Sequence, residues 1–173
     1  MTAISNTPVN KNFLSPLNFK FLLKRAPHVN FFIQKVNIPS IELPPPNFPN
    51  PMVNIPLPGE HLKYGTLEIS FKVDEDLQNY LEIHNWIKAL GKPEDFEGYK
   101  NLQEQPQVTG DGIYSDITLS ILSSTKMANY EVNFADCHPI VLSGFQFNTV
   151  DTDVNYLSAE ATFKYTYYDI VNI

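Results

Sequence analysis

The chain has 173 residues, of which 43% are hydrophobic and 18% charged, and it carries a formal net charge of −7. That length fits a single domain spanning residues 1–173 with its own core, and the composition excludes a disordered polyelectrolyte. The acid excess disfavours a phosphate-gripping surface as the main role, because nucleic-acid affinity comes largely from clustered Lys and Arg.

The first residues, MTAISNTPVNKNF, lack the charged-then-apolar run of a secretion signal, and the one cysteine, Cys137, cannot form an internal disulfide. Synthesis in a reducing cytoplasm is expected. No apolar run approaches the ~20 residues that span a bilayer, so no membrane partner is expected. Charge is uneven along the chain. Before Glu42 there are only basic residues, Lys11, Lys20, Lys24, Arg25 and Lys35, and all nineteen acids follow. Such asymmetry can order contacts between copies or simply pair two regions of one molecule.

In chain order, residues 1–17 form an extension. Phe19, Phe21 and Leu23 then alternate with Lys20, Leu22 and Lys24 as a half-buried strand, and Val29 to Val36 predicts another. Residues 39–60 form a stiff projecting loop, since eight prolines between Pro39 and Pro58 remove donors and hold the backbone extended. Thr66 to Val73 alternate without a break, so one face must be buried. Asp74 to Leu90 predict a helix with Leu77, Tyr80, Leu81, His84, Ile87 and Leu90 on one face, Ile83 and Trp86 widening that apolar side, Asp74 as its cap and Gly91 with Pro93 as its stop. Residues 91–113 form a second long loop with a short helical turn near Phe96 to Leu102. Ile117, Leu119 and Ile121 share one strand face, and Tyr130 to Phe134 and Leu142 to Phe147 predict two more strands. Leu157, Ala159, Ala161, Phe163, Tyr165 and Tyr167 share one face of what the pattern makes the longest strand. The fold class is mainly antiparallel β with one packed helix, α+β, as a small sandwich or barrel-like domain.

No constellation for catalysis emerges, and no metal or other cofactor is implied. His28, His61, His84 and His138 are far apart and form no H-x-x-x-H pattern. Asp74-Glu75-Asp76 could hold a cation, but helix capping explains the same acids. Gly110-Asp111-Gly112 lacks the Lys and Ser/Thr of a phosphate loop. Cys137 and His138 are strand neighbours pointing to opposite faces and cannot act as a nucleophile–base pair, which leaves a buried structural cysteine.

Three stretches carry a resemblance. FFIQKVNIPSIEL is similar to a strand ending in a proline turn before a long loop. PGEHLKYGTLEISFKVDEDLQNYLEIHNWIKALGKPEDF resembles a Gly-acid turn, an alternating strand and an amphipathic helix with a late Trp. YEVNFADCHPIVLSGFQFNTVDTDVNYLSAEATFKYTYYDI resembles paired strands, a Pro-containing turn and a last aromatic strand. In this order, from about Asn18 to Ile170, they resemble the tail-tube protein family of contractile-tailed bacteriophages. The resemblance implies a virion protein of the phage tail that is not an enzyme. Six copies would form a ring whose sheets join into one closed barrel, and stacked rings would make a tube inside a contractile sheath. It implies sheath, baseplate and tail-terminator partners, with DNA passing through the channel without tight binding. A tube-initiator or tube-terminator ring of the same fold is the alternative within that family. A monomeric β-sandwich module binding carbohydrate is the alternative outside it.

Within that expectation, unpaired strand borders would be completed by neighbouring copies. Glu68, Ser70 and Lys72, with Ser158, Glu160, Thr162 and Lys164, are candidates to line the channel, where an acidic wall would repel DNA phosphate. Pro44, Pro45, Pro46, Phe48, Met52, Val53 and Ile55 in the proline-rich loop are candidates for contacts between subunits or rings.

Overall fold

The computed structural model of the protein describes residues 11–49, 52, 55–91, 96–105, 112–150 and 156–173. It is mostly antiparallel β with a few helices. Six strands form one hydrogen-bonded path: β1 (Phe19–Leu23), β8 (Ser115–Leu122), β9 (Ala128–Leu142), β10 (Ser158–Lys164), β7 (Leu67–Lys72) and β2 (Ile33–Val36). A further strand, β11 (Tyr167–Asn172), pairs with β9 alone. The path is open: its two ends are β1 and β2.

The longest strand is β9, not the predicted run ending in Tyr168. The run from Leu157 breaks at Tyr165 and Thr166 into β10 and β11, and its alternation flips: Phe163 and Tyr165 are buried, then Tyr168 rather than Tyr167. β9 flips in the same place. Val132 and Phe134 are buried on one side of Asp136, Cys137 and Pro139 on the other, and Asp136 has φ 56, a left-handed conformation that Asp tolerates better than most residues. The Thr166 N–H donates to the Ala135 carbonyl at 3.0 Å, so both chains turn the corner together. The corner divides the path into two half-sheets that share β9. Residues 130–135 of β9 lie between β8 and β11, whereas residues 138–142 pair with β10.

Three other predicted elements are corrected. The run from Val29 to Val36 is half helix: α1 (Pro27–Phe32) precedes β2. Pro27 sits in the first turn, where its missing N–H costs nothing, and Val29 is buried. Leu142 ends β9, and residues 143–147 are not a strand, although Ser143 still bonds to Glu160. The main helix, α2 (Gln78–Gly91), starts four residues later than predicted. Asp74 stands outside it, accepting from the Leu77 N–H at 3.0 Å in a turn where Leu77 takes φ 58. Asp74 is therefore not the helix cap, and Gly91 is the last helical residue before residues 92–95, which lie outside the described ones. Ile83 and Trp86, expected to widen the apolar side, are its buried centre, but Asn79 joins them inward while Leu81 and His84 lie in solvent. In the second long loop, α3 (Glu97–Glu104) tucks Leu102 into the core.

Phe21, Leu23, Ile117 and Val132 from the first half-sheet join Leu67, Ile69, Phe71 and Phe163 from the second in one core, with Ile83 and Trp86 of α2 over it. Arg25 lies 4.9 Å over the Trp86 ring and donates to the Gly112 carbonyl at 2.7 Å, which ties the start of α1 to the second loop.

Candidate assembly surface

Among the described residues, no three or more His, Cys, Asp or Glu side chains cluster as metal ligands, and no helix is long and apolar enough to cross a membrane. Cys137 is fully buried, its thiol donating to the Phe134 carbonyl at 3.6 Å, and burial pushes its pKa up to about 12. His138 stacks edge-on against Tyr114. His28 instead pairs with Glu82 across α1 and α2, and that hydrogen bond and charge raise its pKa.

The seven predicted channel residues fall together on one face of β7 and β10. Register puts Ser158 opposite Lys72, Glu160 opposite Ser70 and Thr162 opposite Glu68, while Lys164 faces His138 on β9. The opposite face of these strands is the core, so this polar face points away from it. Lys35, Asn37, Glu68, Ser70, Glu160 and Thr162 rim a shallow depression of about 380 Å³ on it. Two glutamates meet two lysines among the seven, and Lys35 of β2 adds a third cation. With three lysines against two glutamates the face is not the acidic wall expected from the net charge, and the acid excess of the chain lies elsewhere.

Beside this face are two borders with no strand partner among the described residues: the outer side of β2, and the side of residues 138–142 of β9 away from β10. Ile140 and Val141 are exposed on the latter. The first half-sheet ends at β1 and β11, with Leu22, Ile170, Val171 and Ile173 exposed. Edge strands with exposed apolar side chains favour pairing with another chain.

The proline-rich segment is a two-step ribbon. β3 (Ile41–Glu42) pairs with β6 (Lys63–Tyr64), and β4 (Asn47–Phe48) with β5 (Ile55–Pro56). Two glycines let its strands approach: a Cβ at Gly59 would run into the Pro44 carbonyl oxygen, and one at Gly65 would crowd the Ser40 backbone. The root is clamped by Tyr168, whose hydroxyl donates to the Pro39 carbonyl at 3.0 Å, and by Tyr64 packed edge-on against Tyr165 and Tyr168. Pro44, Pro45, Pro46 and Met52 are exposed. Val53, and the side chains of Phe48 and Ile55, lie outside the described residues.

Sequence reasoning missed three asparagines that stand in for absent strand neighbours. Asn30 accepts from the Leu23 N–H at 2.8 Å and donates to the Leu23 carbonyl at 3.1 Å. Asn37 accepts from the Glu68 N–H and donates to the Thr66 carbonyl. Asn79, fully buried, accepts from the Asp74 N–H at 3.2 Å and donates to the Lys72 carbonyl at 2.7 Å. A primary amide carries the donor and acceptor of a peptide group, which suits it to this task. The one signal in the sequence is an Asn just beyond or facing a strand end.

No family model matches the chain, and no curated protein does. Solved structures do match it over its whole length. A chain of the tube-terminating cap of the anti-feeding prophage aligns over 100% of both chains with a TM-score of 0.63 at 11% identity. This chain shares its fold with chains of contractile injection systems. A chain of the PVC sheath–tube complex of an extracellular contractile injection system, in its extended state, has the same fold with a TM-score of 0.61, 12% identity and 100% coverage of both chains. A chain of the PVC sheath/tube terminator has it with a TM-score of 0.58 and 14% identity, over 95% of this chain and 99% of that one.

Proposed function

We propose that the protein is a structural subunit of a contractile tail tube. Six copies close into a ring through their sheets, and rings stack into a tube or end one as an initiator or terminator. The observation that carries this reading is the open second half-sheet: a polar outer face bounded on both sides by borders that have no strand partner among the described residues. Joining β2 of one copy to residues 138–142 of β9 in the next satisfies those backbone groups and turns the face of Glu68, Ser70, Lys72, Ser158, Glu160, Thr162 and Lys164 toward a common channel. With its two glutamates nearly offsetting its three lysines, the face gives a polyanion such as DNA little to bind, in keeping with passage rather than retention.

The ribbon of residues 39–60, with Pro44 to Pro46 and Met52 in solvent, contacts the neighbouring copy or ring. Sheath and baseplate proteins surround the tube, in a tail that acts outside the cell that makes it. No catalysis is needed for this role. Negative-stain electron microscopy with mass measurement of the purified chain tests it. Sixfold annuli or hollow filaments are expected, filaments for a repeating subunit and single rings for an initiator or terminator. A chain that stays monomeric at every concentration and gains stability on adding an oligosaccharide would overturn the reading in favour of a carbohydrate-binding module.

A further inference from the structure

Two head-to-tail joints between copies are open to this fold: β1 to β11 would extend the first half-sheet, and β2 to β9 the second. We propose that Asn30 is a side-chain plug on the border of β1 that blocks the first joint and leaves the second as the route of assembly. The proposal rests on the ring-forming reading above.

The register of β1 decides which of its backbone groups face outward. The Leu122 N–H donates to the Asn18 carbonyl, so Asn18 is turned toward β8, and by alternation Phe19, Phe21 and Leu23 turn their N–H and C=O groups away from it. An incoming strand would need those three residues. At Leu23 both groups are already taken by the Asn30 amide, at 2.8 and 3.1 Å, from the helix that packs against this border. An added strand would have to displace two hydrogen bonds and α1 with them. Phe31 and Pro27 of α1 stand beside Leu22 along the same border. On the second half-sheet, neither β2 nor residues 138–142 of β9 has a strand partner among the described residues. Blunting one edge while leaving another open is how sheet proteins choose which border pairs.

The test uses the full chain with a reporter pair, Leu22→Cys and Val171→Cys, which forms an intermolecular disulfide only where β1 of one copy meets β11 of another; Cys137 is buried and does not compete. With Asn30 present, little cross-linked product is expected. Asn30→Ala should raise its yield roughly fivefold or more, and the mass distribution should broaden beyond one closed species. Asn30→Asp, which keeps the acceptor for the Leu23 N–H but loses the donor, should give an intermediate yield and covers the case in which Asn30→Ala fails to fold. Adding Leu22→Lys to Asn30→Ala, without the reporter cysteines, should restore the single mass by placing a third cation between Lys20 and Lys24 on the freed border. Folded Asn30 variants with unchanged cross-linking and mass would overturn the plug. A wild-type chain that never forms rings would overturn the ring reading, while the cross-link in the Asn30 variants would still decide the plug.

Discussion

Replacing Asn79 by Leu tests whether side-chain amides finish this sheet. Asn79 is fully buried, and its amide takes the Asp74 N–H at 3.2 Å and the Lys72 carbonyl at 2.7 Å where β7 runs beyond the start of β2. Leucine fills a similar space but pairs with neither group. Each buried backbone group left without a partner costs about 1–3 kcal/mol, so for two groups the loss should be about 2–6 kcal/mol. That is a large share of the ~5–15 kcal/mol typical of a folded domain. Urea unfolding at one fixed protein concentration should show a lower midpoint with an unchanged slope. A loss below about 1 kcal/mol would mean that water or a backbone shift satisfies Asp74 and Lys72, and the reasoning about substitute strand partners would be wrong.

The His28–Glu82 pair makes stability depend on pH in a definite sense. The His28 pKa is raised from 6.5, first by its hydrogen bond to Glu82 and then by that carboxylate's charge, so its contribution is complete below pH 6.5 and fades as pH rises through the folded value. His28→Gln should therefore lower the melting temperature at pH 5.5 more than at pH 8.5; equal shifts at both would contradict the assignment. Cys137, with its thiol pushed up to about 12 and no exposure, should resist alkylation at pH 8 while folded and react fully in denaturant. Ready labelling of the native chain would show that its strand opens. Gly59→Ala should force the ribbon strands apart at Pro44 and lower ring or tube yield at a nearly unchanged melting temperature, measured by microscopy and circular dichroism. Normal tubes from this variant would remove the ribbon from the assembly contacts.

Alternation along the chain was enough to place β1, β7 and β8 and the inward set Leu67, Ile69 and Phe71, because a half-buried strand needs apolar side chains at every second position. Helical spacing located α2, and eight prolines marked the ribbon as something other than core. The polar residues of β7 and of β10 were legible as two outward rows, since a strand with one buried face must turn the other outward, while only the pairing of the two strands makes them one face.

Tertiary structure decided the rest, because it depended on groups distant in sequence. The corner at Asp136 and Thr166 reverses which residues face inward, and no local pattern announces it; two chains bend there only because each hydrogen-bonds to the other. Helical spacing put Ile83 and Trp86 on the apolar side of α2, but what the helix lies against turned Asn79 inward as well and left Leu81 and His84 in water. Asn30, Asn37 and Asn79 look like ordinary surface asparagines until the strand ends they complete are in place. The amino-acid order settled which residues could pack on a sheet, and the assembled sheet alone determined where its borders lie and which of them stay open.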